Sequence, residues 1–472
     1  MTPEEFRQFG YKIIDWIADY RENLSDKRVM SDIQPNQISK QLPSSPPNEA
    51  ESFEQILSDL NKILLPGITH WNHPNFFAYF PSNATLVSVL GELLSAGLGV
   101  QGMSWQTSPA ATELEEVVMD WLRQMIGLSE NFVGVIQDTA STATLVALLC
   151  AREKSSNHSQ NLAGLQGEDS PLIVYTSEQS HSSVTKAALL AGFGKNNLRL
   201  IDTDKNYSLQ ADLLVSAIEK DLANGLKPSA IIATVGTTNT TAVDPIKEIA
   251  KIAEKYNIWL HIDAAMAGTA MILPECRKMW EGVEKADSIL FNPHKWLGVA
   301  FDCTAYFVRD TQHLIRVMST NPTYLQTNVD GQVNNFRDWG IQLGRRFRAL
   351  KLWFLIREQG VSSLQARIRR DLDNAYWLKE QIKTNSEWEI VAPVLFQTLC
   401  IRHIPRANMD EQDIATHNLA WVKKINDSGK AYLTPSMVKG KQIVRISIGA
   451  EMTTKVEVEK LWQLIQQVVK EC

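Results

Sequence analysis

Phe291-Asn292-Pro293-His294-Lys295-Trp296 sets a lysine beside a histidine at the end of an apolar run, Asp287-Ser288-Ile289-Leu290-Phe291, that reads as a strand. Lysine avoids strand interiors and usually turns its ammonium to water. If strand and loop enter a site, desolvation lowers the amine's pKa and frees it to form a Schiff base. Taken alone, the segment also reads as a surface lysine after a strand. A second apolar run, Trp259-Leu260-His261-Ile262-Asp263-Ala264-Ala265, ends in an acid followed by two small residues. The plain reading of Asp263 is a cap for the next turn. The alanines after it leave room for something flat to lie against the backbone.

An acid and an amine at the carboxyl ends of two such strands fit pyridoxal phosphate, with lysine to the aldehyde and acid to the pyridinium nitrogen. His261-Ile262-Asp263-Ala264-Ala265 followed by Asn292-Pro293-His294-Lys295-Trp296 resembles the group II pyridoxal-phosphate decarboxylases, especially the aromatic-L-amino-acid decarboxylases. The likeness runs from about residue 5 to beyond residue 360 and weakens afterwards. It implies a fold type I enzyme acting as a homodimer, with its active site at the subunit interface.

The 472 residues suffice for two or three domains, and a 44% hydrophobic fraction can supply their cores. With 47 basic and 53 acidic side chains, net −6, nothing calls for a nucleic-acid partner. The five cysteines (Cys150, Cys276, Cys303, Cys400, Cys472) are scattered, without a C-x-x-C pair, and read as reduced, mostly buried thiols. No metal site is expected. Met1-Thr2-Pro3-Glu4-Glu5-Phe6 carries acids where a secretory signal has bases, and no apolar stretch approaches the length of a membrane span. The expectation is a soluble cytoplasmic protein without a membrane partner.

Phe6, Phe9, Ile13, Ile14, Trp16 and Ile17 recur at helical spacing, so residues 4–24 are predicted to form an amphipathic helix. A proline-containing stretch, Ser31 to Asn48, reads as loop or arm, and a second helix is predicted over Ser52–Leu65. From about residue 86 helices alternate with short apolar runs. Strands are predicted at Leu172–Thr176, Leu198–Asp202, Ala230–Thr234, Trp259–Ile262, Ser288–Phe291 and Thr304–Val308. That alternation argues an α/β layer with a mainly parallel sheet flanked by helices. From about 361 the order shifts to a long charged helix through Arg367 and Lys379. Runs Trp388–Val391, Leu399–His403 and Val444–Ile448 follow, then a last helix near Lys455–Val469. The division expected is an N-terminal helical segment over 1–85, a large α/β domain over 86–360 and a small α+β domain over 361–472. By resemblance, the first of these packs on the partner subunit.

Gln137-Asp138-Thr139-Ala140-Ser141-Thr142-Ala143-Thr144 opens the apolar helix through Leu145–Leu149. Such a turn offers free N–H groups, hydroxyls and a positive helix end to a phosphate, or is an ordinary capped helix. The resemblance makes Ala140, Ser141, Asn292 and His294 the phosphate positions. Asp138 and Thr142 depart from the glycine and glutamate of the animal enzymes. A carboxylate aimed at phosphate is repelled, so Asp138 is expected to face away or cap the helix. Asp263, as a carboxylate, keeps the ring nitrogen protonated; contact attraction is on the order of 4 kcal/mol at an effective dielectric near 20.

His181, in Ser177-Glu178-Gln179-Ser180-His181-Ser182-Ser183, reads alone as a loop or capping residue. By resemblance it stacks on the ring, with Ala265 on the opposite face and Thr238 near the ring hydroxyl. Asn321-Pro322-Thr323-Tyr324-Leu325-Gln326-Thr327-Asn328-Val329-Asp330-Gly331 reads as an exposed mobile loop. In the resembled family its tyrosine closes over the site and protonates the substrate carbon, with His181 able to relay. Relatives with phenylalanine there are aldehyde synthases, so Tyr324 favours amine formation.

Trp71, Tyr79, Phe80 and Pro81 lie in one aromatic-dense run that could be plain core. By resemblance they line the substrate slot with Ser82, Phe301, Gly344 and, from the second subunit, Gln101 and Met103. An apolar slot suits an aromatic side chain such as tryptophan, tyrosine, phenylalanine or dihydroxyphenylalanine. Gln101 and Met103 depart from the isoleucine and phenylalanine of the animal enzymes. Gly344 stands where histidine and plant tyrosine decarboxylases carry serine, which leans the reading towards tryptophan or a broad range. An aldehyde synthase, or a decarboxylase of histidine or glutamate on the same fold, is the alternative. A nucleotide-binding module is disfavoured, because the phosphate turn lacks G-x-x-x-x-G-K-[ST].

Overall fold

The computed structural model describes residues 1–320, 322–406 and 408–472. The chain forms two compact units: Met1–Pro81 with Trp377–Glu389 and Ile401–Cys472, and Ser82–Tyr376 with Ile390–Cys400.

A seven-stranded sheet organises the larger unit. Its strands are β1 (Val133–Gln137), β2 (Leu172–Ser177), β3 (Leu198–Ile201), β4 (Lys227–Thr234), β5 (Trp259–Asp263), β6 (Ser288–Phe291) and β7 (Thr304–Val308). Across the sheet they run β1-β7-β6-β5-β4-β2-β3. Neighbours from β3 to β6 are parallel, while β7 is antiparallel to both β6 and β1. The mainly parallel layer expected from the alternation is present, and β2, β5, β6 and β7 are buried along their whole length. Strands covered on both faces read as continuous apolar runs, which is why these were legible.

Strand β1 was not expected, because Gly134 interrupts its run and glycine counts against a strand. A Cβ there would come within 2.5 Å of Met119 Cε and 2.8 Å of Phe307 Cε1, so glycine lets the helix Pro109–Met125 and β7 approach. Behind β1, the helix Ala140–Ser155 buries Ala143, Val146, Ala147, Leu148 and Cys150 in the main core with Val174, Ile232 and Tyr306. Burial spread round its circumference marks an interior helix.

The C-terminal part forms a second sheet, β10-β11-β9-β8, from β8 (Trp388–Ile390), β9 (Thr398–His403), β10 (Thr434–Val438) and β11 (Lys441–Ser447). The charged helix expected from about residue 361 begins at Arg348 and is broken at Gly360, where φ 69° and ψ 161° leave the helical region. The first helix, Pro3–Glu22, is capped by Thr2 and Glu5 but buries none of its side chains in this chain. Among the described residues no cysteine forms a disulfide, and of the five Cys472 alone is exposed. No described helix is long and apolar enough to cross a membrane.

Candidate active site

Strands β5 and β6 are parallel neighbours, with Asp263 in register with Leu290. Their carboxyl ends therefore deliver Asp263 and the Lys295 turn to the same edge of the sheet. Backbone bonds stitch the two ends together: Ala264 N–H donates to Leu290 O at 3.0 Å and Asn292 N–H to Ala265 O at 2.9 Å. Asp263 is 4% exposed, and its Oδ1 accepts the Ala265 N–H at 3.0 Å. Lys295 is half-buried in the tight turn Pro293–Leu297, with φ −93° and ψ −109° outside helical values. Its N–H donates to Asn292 O at 3.0 Å, and its carbonyl accepts the Asn83 N–H at 3.4 Å.

His181 ends the loop after β2, as N-cap of the helix Ser182–Leu190. Its Nδ1 accepts the Ser183 N–H at 3.1 Å, which fixes the ring. Desolvation on one side lowers its pKa; Asp263 then raises it and Lys295 lowers it. Acid, amine and imidazole thus converge, while the His181 ring remains exposed.

Thr139 caps the helix Ala140–Ser155 without a side-chain hydrogen bond to the first-turn N–H groups. Asp138 does not cap it either. Its Oδ1 accepts the Thr139 N–H at 2.5 Å, and its Oδ2 accepts from Gln342 Nε2 at 3.2 Å. Thr304 Oγ1 donates to Asn292 Oδ1 at 2.8 Å and lies 3.2 Å from Asp138 O, tying the β6 loop to the turn before Ala140. Buried His294 sets Nδ1 2.7 Å from Cys303 O and 3.0 Å from Cys303 N, so the Cys303 backbone fixes its ring. Burial, then the nearby Lys295, pull its pKa to about 4, so it is neutral. Burial likewise pushes the Cys303 thiol up to about 12, an inert group. Sequence reasoning missed Thr304 and Gln342, which lie far along the chain from the turns they join.

Thr238 is half-buried near Gly236, where φ is 86° and a Cβ would stand 2.6 Å from Ala267 Cβ, so glycine is required. The turn itself is clamped by Thr237 Oγ1, which accepts the Ala242 N–H at 3.0 Å. Ala265 is half-buried against the main core. Phe301 is 62% exposed and meets His294 edge-on at 4.8 Å. Ser82 Oγ donates to His294 O at 3.4 Å. Gln101 Oε1 accepts the Arg345 N–H at 2.6 Å, and a Cβ on Gly344 would stand 3.1 Å from Gln101 Nε2. The room beside Gly344 is therefore bounded by an amide. Met103 O accepts the Arg337 N–H at 2.9 Å.

In the smaller unit, Trp71 stacks on Tyr79 at 5.5 Å, and Arg445 lies over Phe80 at 4.9 Å. Trp71 and Tyr79 remain 39% and 47% exposed, unlike the core residues Phe76 and Phe77; Pro81 is buried. Tyr324 is 79% exposed, with no hydrogen-bond or ring partner among the described residues. Asn321, at the start of its loop, lies outside them.

The sequence profile of the pyridoxal-dependent decarboxylase conserved domain matches residues 35–404. The chain belongs to this family. It is 41% identical to phenylacetaldehyde synthase of Arabidopsis thaliana, over 99% of this chain and 96% of that one. It is 42% identical to tyrosine decarboxylase 4 of Petroselinum crispum, over 99% and 93%. TDC of Oryza sativa, solved with PLP and tryptamine, superposes with a TM-score of 0.96 at 36% identity, covering 100% of this chain and 99% of that one. The residues present fit the family's cofactor. An amine and a carboxylate both act electrostatically on one imidazole, and a helix of interior residues begins without a side-chain cap at a turn that Thr304 ties to Asn292.

Proposed function

We propose that this protein is a pyridoxal-phosphate-dependent carboxy-lyase that converts an aromatic L-amino acid to the arylalkylamine and carbon dioxide. The observation that carries the reading is the meeting of Asp263 and Lys295 on adjacent strand ends, both felt by His181. The relatives named for aromatic substrates support the substrate class.

When bound, the cofactor supplies an aldehyde that bonds an amine and a ring that draws electrons from the breaking Cα–carboxylate bond. Lys295 would hold the aldehyde and later take the amine's place. Asp263 keeps the ring nitrogen protonated. His181 covers one ring face and Ala265 the other, with Thr238 near the ring hydroxyl. Ala140, Ser141, Asn292 and neutral His294 anchor the phosphate. Tyr324 brings a proton to Cα once its loop closes, with His181 as relay. Trp71, Tyr79, Phe80, Pro81, Ser82 and Phe301, with Gln101, Met103 and Gly344 of the partner, hold the aromatic ring and exclude water.

In this reading the enzyme is a cytoplasmic homodimer. Segment 1–85 packs on the partner, 86–360 binds the cofactor and 361–472 forms the small domain. The likeness to phenylacetaldehyde synthase favours one second reading, aldehyde formation. The test is to supply the cofactor-loaded enzyme with tryptophan, tyrosine, phenylalanine, dihydroxyphenylalanine, histidine and glutamate, measuring carbon dioxide, amine, aldehyde and peroxide. Equal amounts of carbon dioxide and amine from an aromatic substrate are expected. Aldehyde with peroxide would establish the second reading, and no carbon dioxide from any aromatic substrate would refute both.

A further inference from the structure

The turn that carries Lys295 is gripped by the helix that resumes after Gly360. Arg367 and Asp371 stand at i and i+4 on that helix, and so share one face. Arg367 Nη1 donates to Trp296 O at 3.2 Å, and its Nη2 donates to Leu297 O. Asp371 Oδ2 accepts from Trp296 Nε1 at 2.9 Å. The two residues directly after Lys295 are thus held at both carbonyls and, for Trp296, at the ring. From another segment, Asn83 N–H donates to Lys295 O at 3.4 Å and Thr85 N–H to Gly298 O at 3.1 Å.

Trp296 and Asp371 are fully buried, and a buried carboxylate is costly without partners. Burial pushes the Asp371 pKa up, against the pull of Arg370, the Trp296 N–H and Arg367. Arg370 donates to Asp371 Oδ1 from Nε at 3.0 Å and from Nη2 at 2.8 Å, and the other oxygen meets the indole. An apolar residue would pack at this position at lower cost. An ionised acceptor also fixes the angle of the indole, and with it the peptide that leaves Lys295. At Gly298 (φ 97°) a Cβ would stand 3.2 Å from Arg367 Nη2, so glycine admits the guanidinium to the turn.

We propose that Arg367 and Asp371 are positioning residues for the reaction: by fixing the peptide after Lys295 they aim its amine at the cofactor's aldehyde. The proposal rests on the reading of Lys295 as the residue that bonds the cofactor. An amine held in line meets the aldehyde without a search, and a misplacement of about 1 Å can slow such a step by about 10²-fold.

The test mixes cofactor-free protein with pyridoxal phosphate in a stopped-flow cell and follows the visible band of the lysine-bound cofactor. R367A and W296F are each expected to form that band about tenfold or more slowly than wild type. R367K recovers part of the loss, because an ammonium reaches one carbonyl without the two-pronged fork. In turnover assays kcat falls in R367A and W296F while the KM for the amino acid shifts by less than about twofold. The control is R369A, which breaks the exposed Arg369–Glu275 pair on the same helix and keeps the wild-type rate. Wild-type rates of band formation in R367A and W296F overturn the proposal. Equal slowing in R369A also overturns it, since the effect then belongs to the helix as a whole. Should R367A fail to fold, W296F decides by the same rates. A wild type that forms the band but releases no carbon dioxide from any aromatic substrate refutes the proposed activity and leaves this test intact. A wild type that forms no band refutes the role of Lys295, and this proposal with it.

Discussion

Asp263 and Lys295 stand on adjacent strand ends joined by backbone hydrogen bonds, so each can be altered without moving the other. Lys295→Ala is expected to abolish turnover together with the visible absorption of the lysine-bound cofactor. Retention of either would reject the assignment. Asp263→Asn keeps that absorption but loses the charge that protonates the ring nitrogen. At about 4 kcal/mol, its loss lowers the decarboxylation rate by roughly a thousandfold in stopped-flow assays. Tyr324→Phe removes a proton donor and should slow amine formation by ~10²–10⁴ while aldehyde, peroxide and ammonia appear. An unchanged rate with amine alone would show that Tyr324 is not the donor. These residues were legible in the sequence because their types are costly where they stand: a lysine and an acid at the ends of buried strands. Asp138 could not be placed that way, because the group that engages it, Gln342, gives no signal at such a distance.

Among elements, the Tyr324 loop has one anchored end. The Asp330 carboxylate accepts from Thr327 N–H at 3.0 Å, Thr327 Oγ1 at 2.7 Å and Asn335 Nδ2 at 2.9 Å, and those bonds hold its pKa below the usual range. Hydrogen bonds to an ionised acceptor are worth about 1.5–3 kcal/mol each, so Asp330→Ala frees this end. The expected outcome is a lower kcat with cofactor absorption intact and faster tryptic cleavage next to the loop; an unchanged kcat and cleavage rate would remove Asp330 as the anchor. The loop itself was readable from its proline, glycine and polar residues. Strands β2 and β4 to β7 were readable from short runs rich in β-branched, aromatic and other apolar residues. Strand β1 was not, since close approach to Met119 and Phe307 demands a glycine that propensity counts against it. Strand β10, through Pro435 and Ser436, alternates exposed and half-buried residues and presents no apolar run.

Across the whole chain, three buried histidines make stability depend on pH. Burial pulls His261 to about 3 and both His73 and His294 to about 4, all below the ordinary value of 6.5. The folded protein therefore binds fewer protons than the unfolded chain between those values. Stability is full above pH 6.5 and falls as pH drops towards 4, by about 1.4 kcal/mol per pH unit for each group. Calorimetric Tm should decline from pH 7 to pH 5; a flat Tm would show these histidines protonated when folded.

The assembly has its own test. Gly102 N–H donates to Arg345 O at 2.8 Å, Trp105 N–H to Asn335 Oδ1 at 3.1 Å and Arg337 N–H to Met103 O at 2.9 Å, so segments 101–105 and 335–345 form one block. If Met103 serves the partner's site, Gly344 does so with it. Met103→Arg and Lys295→Ala should each be inactive alone. Co-expressed, half of the dimers are mixed, each with one site whose Lys295 and Met103 are both native, restoring about a quarter of wild-type activity. Gly344→Trp should substitute for Met103→Arg in the same experiment. Recovery with neither would place this block at its own chain's lysine and end the case for a shared site.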